Sequence, residues 1–305
     1  PYPVQQLVGR VEIRDGIASS QSLDARVGGS RMQCRFRLPI RKGITNEKTF
    51  VMASDAPIAI DGTLLKALSP RGGPPTKLES FIRSLSPRGT VHLRSAMIAT
   101  DADGRRTRNF DLRVADGYLR YKVFAYPLHN VDGIVQVEND LVKLIGFRAT
   151  NANAGSIHCD GTYRMPSTQP ATSAKRIAGA TATPASQSHL ALNFRAANVP
   201  MDESLRSSLP PSTQHTWDAI SPSGVLDELN VRINQHGGGA PLILDVSAKQ
   251  HSTDLVTNRS LSLRPPSFPY RLDITGGTVR FDGSQVIIDS INARNYASTL
   301  TAHGR

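Results

Sequence analysis

The sequence predicts a mainly β protein with short helices, in which repeated antiparallel meanders join into one long, twisted, curled sheet. Three observations lead there. The stretch from Phe124 to Arg164 returns from Phe268 to Arg305, and a third copy opens the chain at Tyr2. Within each copy apolar and polar residues alternate at period two between Gly- and Asp-rich turns, the pattern of strands with one apolar face. Helical spacing, by contrast, surfaces only in two short pieces per unit.

The repeat is ungapped where it is clearest. Tyr2, Tyr126 and Tyr270 align, as do Gly9, Gly133 and Gly277, Val11, Val135 and Val279, and Ala25, Ala149 and Ala293. Four matched positions at constant offsets mark a repeat protein, whose copies stack on their neighbours.

Residues 1–40 form the first meander. Leu7, Gly9, Val11 and Ile13 share one face, and Leu23, Ala25 and Val27 follow the Asp15-Gly16 turn. Beyond Gly28-Gly29 come Met32, Cys34, Phe36, Leu38 and Ile40, opposed by Arg31, Gln33, Arg35 and Arg37. A polar loop over 41–49 leads to a strand over 50–60 and a short helical piece, TLLKAL, broken at Pro70. After a Gly-Gly-Pro-Pro linker, Leu78, Phe81, Ile82 and Leu85 make one apolar helix face, and Thr76 with Glu79 fits a capping box. Ser86-Pro87-Arg88-Gly89 stops that helix. Strands are expected at 90–99, 108–114 and 118–124, the first two joined by a hairpin turn at Asp103-Gly104. The second meander follows.

Residues 165–189 are rich in Ser, Thr, Ala and Pro, too poor in large apolar side chains to order themselves, and read as a flexible loop. The spacer between meanders then repeats too. Asp202 answers Asp61 and Leu209 answers Leu68, while Trp217, Ile220, Pro222 and Gly224 answer Ile82, Leu85, Pro87 and Gly89. Gly237-Gly238-Gly239 is a hairpin tip. The chain divides into 1–164, the first unit and second meander; 165–189, the loop; and 190–305, the second unit with the closing meander, in one continuous sheet.

The 305 residues carry 36 Lys+Arg against 25 Asp+Glu, a formal charge of +11 that suits an anionic partner. The excess is spread along the chain and reads as a solvated basic strand face. Cys34 and Cys159 read as free thiols. No apolar run approaches the roughly 18 residues of a membrane span, and the first residues show no secretory h-region. The chain begins inside one copy and ends as another finishes, so a segment of something longer, reaching its membrane through flanking regions, is expected.

No catalytic constellation emerges. Eight histidines show no metal-ligand spacing, and there is no phosphate loop and no GxGxxG after a strand. The chain is therefore expected to be no enzyme, with no catalytic residue, metal or cofactor. Ser86 and Ser221 superpose as helix stops, and the pairs Asp101/Asp103 and Glu138/Asp140 sit in turns. Asn258-Arg259-Ser260 is an accidental sequon. Trp217 reads as a packing anchor, and the matched tyrosines as structural staples at strand entries, with ring stacking as the alternative.

What the pattern leaves uncovered is the apolar face. Such a sheet closes it with helices, a second sheet or a ligand. Candidate groove-lining residues are Val11, Ile13, Leu23, Val27 and Phe36 in the first copy, Val135, Val137, Ile145 and Phe147 in the second, and Val279, Phe281 and Ile291 in the third. The competing arrangement is a sheet curled on itself with helices plugging the ends.

One resemblance adds to this. Phe124, Tyr126, Leu128, Gly133, Val135, Ala149 and Gly161, repeated as Phe268, Tyr270, Leu272, Gly277, Val279, Ala293 and Gly304, resemble the meander of the AsmA-like family of bacterial envelope proteins, and the spacer from Trp217 to Gly224 is similar to the family's own. The resemblance implies a taco-like groove with a hydrophobic interior, located in the periplasm or cell envelope of a diderm bacterium. It also implies a part in moving phospholipid acyl chains in support of outer-membrane assembly, with envelope protein partners. Two other classes stay open: a structural or adaptor β-repeat domain binding protein partners at sheet edges, and a basic polyanion-binding module, though nucleic acid is not expected.

Overall fold

The computed structural model describes residues 4–41, 43–66, 74, 77–122, 124–151, 155–165, 188–209, 211–237, 240–241, 243–251, 261–266, 270–281 and 285–305. Tyr2, the Gly72-Gly73 linker, Thr76 of the capping box, nearly all of the 165–189 loop, Gly238-Gly239 and the sequon lie outside them. The first meander is β1 (Gln5–Gly9), β2 (Glu12–Arg14), β3 (Ile17–Val27) and β4 (Ser30–Pro39). A spacer follows, made of β5 (Lys48–Ser54), β6 (Ile58–Ala59), α1 (Gly62–Lys66), α2 (Lys77–Ser84), β7 (Arg88–Thr100) and β8 (Arg106–Leu119). The second meander is β9 (Leu128–Glu138), β10 (Leu141–Thr150) and β11 (Ser156–Arg164). The second spacer holds β12 (His189–Pro200), α3 (Glu203–Ser208), α4 (Pro211–Ile220), β13 (Val225–His236), β14 (Ile243–Gln250) and β15 (Leu261–Leu263). β16 (Leu272–Phe281), β17 (Val286–Asn295) and β18 (Ser298–Gly304) close the chain.

All eighteen strands belong to one antiparallel sheet. Short connections make chain order and sheet order coincide. Three sheet positions are each filled by two short strands: β1 and β2 both pair with β3, β5 and β6 with β7, and β14 and β15 with β16. Among the described residues no pairing returns from β18 to β1, so the sheet is open. Fifteen strand positions at about 4.8 Å spacing make it roughly 65–70 Å wide.

Two expected strand boundaries change. The stretch 50–60 splits into β5 and β6. The separate strands at 108–114 and 118–124 are a single one, β8, which ends at Leu119; a register shift between Val114 and Gly117, with Asp116 at φ 51°, lets it bend without breaking.

Buried hydrophobic side chains among the described residues number thirteen, few for a chain of this length, and some of them gather beside the second pair of helices. Tyr126, Val199, Leu205 and Leu226 form the cluster there, with Ile157, Ala196, Trp217, Leu229 and Ala248 packed against it. The helices form where the repeat placed them because each spacer supplies an N-cap. Asp61 Oδ1 accepts from the Thr63 and Leu64 amides at 2.9 and 2.8 Å, and Asp202 Oδ1 accepts from the Leu205 amide at 3.0 Å. Their stops match as well: Ser86 and Ser221 adopt φ 45° and 41°, ending α2 and α4. Arg206 ties α3 to α4 through a two-pronged pair with Asp218 at 2.7 and 2.8 Å. Glu79, whose capping partner lies outside the described residues, is buried and paired with Arg83 at 2.6 Å.

Candidate functional site: an uncovered apolar face

Directly opposed residues in an antiparallel ladder share a face, so the register shows which side chains lie together. One row runs Leu93, Leu112, Val135, Leu144, Gly161, Leu192, Ile233, Leu244 across eight consecutive sheet positions. A parallel row runs Leu23, Cys34, Met52, Ala96, Phe110, Val137, Val142, Tyr163, Leu190. A third holds Phe147, Cys159, Phe194, Val231, Val246, Phe281 and Val286. The next row, Ala149, Ile157, Ala196, Leu229, Ala248, Val279, is the one that α3 and α4 reach, since Ile157, Ala196, Leu229 and Ala248 pack on the helix-capped cluster. The helices therefore sit on the apolar face at one strand end. In the Leu93–Leu244 row every apolar side chain is part-buried and none is buried, as expected of side chains shielded by their neighbours in the sheet rather than by a layer above.

The candidate residues fall into four groups. Val135, Val137, Phe147, Val279 and Phe281 lie in the apolar rows, half-buried; Phe36, opposite Phe50, and Ile291, opposite Gly277, lie on the same face. Ile13 shares the face with Ala18 but is 64% exposed near the sheet's first edge. Leu23 and Val27 are buried. Val11 lies between β1 and β2 with no strand partner, 48% exposed. Ile145 is a correction: it stands opposite Ile134, on the outer face. Alternation from Phe147 places it inward, but a bulge at Gly146 (φ 59°) inserts one residue and reverses the parity. Residues the alternation did not single out, Leu112, Leu144, Leu192, Phe194, Ile233 and Val246, make up the middle of the rows; only the pairing register identifies them.

The repeat's glycine has a local cause at Gly133. Phe147 folds across it, and a Cβ there would meet the ring at 2.6 Å. Cys159, beyond Phe147, is a free thiol whose burial pushes its pKa up to about 12. Tyr126 is 7% exposed, its hydroxyl bonded to Asn151 and its pKa raised by burial, so it is a staple; Tyr270 is 55% exposed.

The outer face carries the charge. Arg31–Asp24 (2.9 Å), Arg113–Asp132 (3.2 Å), Lys143–Glu138 (2.9 Å) and Arg280–Asp289 (2.6 Å) are ion pairs between neighbouring strands. Hydrogen bonds from the arginines hold Asp24 and Asp289 below the usual carboxylate range. Exposed pairs of this kind stabilise little. Among the described residues no three His, Cys, Asp or Glu side chains converge to hold a metal ion, and no helix is long and apolar enough to cross a membrane. No family model, no curated protein and no solved structure matches the chain.

Proposed function

We propose that this chain is a non-enzymatic lipid conduit, an AsmA-like envelope protein whose curled sheet holds phospholipid acyl chains against its apolar face. The observation that supports it is the Leu93–Leu244 row, eight sheet positions filled by seven apolar side chains and Gly161, with no polar interruption and no covering element among the described residues. Adjacent rows widen it into a strip about 35 Å long across the strands. A water-facing strip of that size costs free energy unless something apolar covers it. Acyl chains suit it because the rows offer shape and hydrophobicity but no directional polar groups. On this reading, and on what the meander resemblance implies, the conduit would work in the periplasm of a diderm bacterium toward outer-membrane assembly.

The test is extraction of lipid from purified protein, followed by mass spectrometry and uptake of a fluorescent phospholipid from vesicles. Phospholipid should co-purify and be taken up. Replacing Leu144 and Ile233 by Asp should abolish both while far-UV circular dichroism stays unchanged. Absence of lipid from the wild-type protein and no uptake would overturn the proposal.

A further inference from the structure

The apolar rows are not uniformly uncharged: one corner is cationic. At the hairpin end of β4, β5, β7 and β8, register sets Lys48 opposite Thr100 and Thr100 opposite Arg106, one step out from Phe50 opposite Ile98 and Ile98 opposite Arg108. Alternation from Phe50, Ile98 and Phe110 puts Lys48, Arg106 and Arg108 on the apolar face. The other rows traced above contain no charged residue. Arg108 is neutralised by Asp140 at 3.1 Å. Lys48 and Arg106 are exposed and, among the described residues, have no carboxylate within ion-pair distance. The nearby acids are engaged elsewhere: Glu47 lies 4.0 Å from Arg37 and Asp103 lies 3.9 Å from Arg105, while Asp101 accepts from the Arg105 amide. Beside the two cations lies a cavity of about 310 Å³, lined by the apolar Leu38, Phe50 and Ile98 together with Lys48, Thr49, Thr100 and Arg106.

We infer that this corner is a headgroup site for an anionic phospholipid. The inference rests on the conduit reading, which supplies the acyl chains, and adds which lipid is preferred and where its phosphate stops. The cavity is at the small end of ligand pockets, with room for a headgroup and the first carbons of a chain, while the rest of the chain continues onto the Cys34–Leu190 row next to it. Two cations beside an apolar floor complement a headgroup of net negative charge, whereas a choline headgroup offsets its own phosphate with an ammonium that the same two cations repel, so it gains less from them. Thr100 lies between the two and offers a hydroxyl to the same phosphate.

The experiment loads purified protein from mixed vesicles of equal phosphatidylglycerol and phosphatidylcholine, with matched acyl chains, and measures both bound lipids by mass spectrometry. The wild type should enrich phosphatidylglycerol about three- to fivefold, the scale of two partly solvent-exposed charge contacts. Lys48→Gln with Arg106→Gln should bring the ratio to one while total bound lipid is retained. Arg35→Gln with Arg195→Gln removes the same charge from the outer face and should leave the enrichment in place. No bound lipid in any variant overturns the conduit. Bound lipid at a one-to-one ratio in the wild type overturns the headgroup site alone, as does enrichment that persists in the Lys48/Arg106 variant or vanishes in the Arg35/Arg195 variant.

Discussion

Truncating the same side chain at two places in the sheet separates an open interior from a packed one. Leu226 belongs to the helix-capped cluster and is 7% exposed; Leu144 sits in the middle of the Leu93–Leu244 row, half-buried. Leu226→Ala removes apolar surface and leaves a void roofed by the cluster, so transfer and cavity terms both apply, about 3 kcal/mol. Leu144→Ala loses only the transfer of the atoms its neighbours had shielded, about 1 kcal/mol, because the dent it leaves is open and no cavity forms. The difference of about 2 kcal/mol corresponds to a midpoint difference of roughly 0.7–1 M urea at an m-value of about 2–3 kcal/mol/M. Circular dichroism reads the whole sheet, and Trp217, the sole tryptophan, reads the capped end, so the two probes also show whether the sheet unfolds as one unit. Equal losses for the two variants, with coincident transitions, would mean that Leu144 is roofed and the interior is solid.

Other consequences follow from the same geometry. With its pKa near 12 against an ordinary 9.0, Cys159 should hold about a thousandfold less thiolate at neutral pH than an exposed thiol; in a Cys34→Ser background, a thiol reagent should react slowly with native protein and fast in urea, and comparable rates would refute its burial. Because the folded form keeps protons on Cys159, Cys34 and Tyr126 that the unfolded chain releases, stability should fall as pH rises above about 9, measured by urea midpoints across that window. A Cβ at position 133 meets the Phe147 ring, so Gly133→Val should destabilise by about 1–3 kcal/mol, and pairing it with Phe147→Ala should recover part of the loss. Arg206 holds Asp218 below the usual carboxylate range; acidification through that lowered pKa should loosen α4 against α3, seen as a Trp217 emission change that Asp218→Asn removes.

The strands, the meander repeat and the helix positions were legible because each is written locally. Period two, a Gly-Asp turn and an i, i+3, i+4 triplet need only a few consecutive residues. The matched Asp61 and Asp202 were visible as a repeat, but their role as caps was not, since that depends on backbone amides two and three residues on. The bulges were beyond reach. Asp116 and Gly146 each insert one residue into a ladder whose partner strand decides whether the parity flips, which is why Ile145 looks inward in the sequence and faces outward in the sheet. The row from Leu93 to Leu244 was hidden for the same reason. Its members come from eight strands and are joined only by register.

That distinction bears on how the chain is read chemically. A catalytic site concentrates polar groups from distant positions at one point; here the register does the opposite and distributes apolar groups along a line. Several matched residues of the repeat, Gly133 under the Phe147 ring, the buried Ala25, Ala149 and Ala293 and the helix-capping Asp61 and Asp202, lie off the Leu93–Leu244 row. Substitutions there should therefore affect stability first and lipid occupancy only as a consequence. Substitutions in the middle of the rows should do the reverse, lowering occupancy with little change in stability. Lys48 and Arg106 depart from both classes. They are exposed, their removal takes nothing from the core, and no repeat position obliges them, so a change in which lipid is bound at constant stability is the signature expected of them alone.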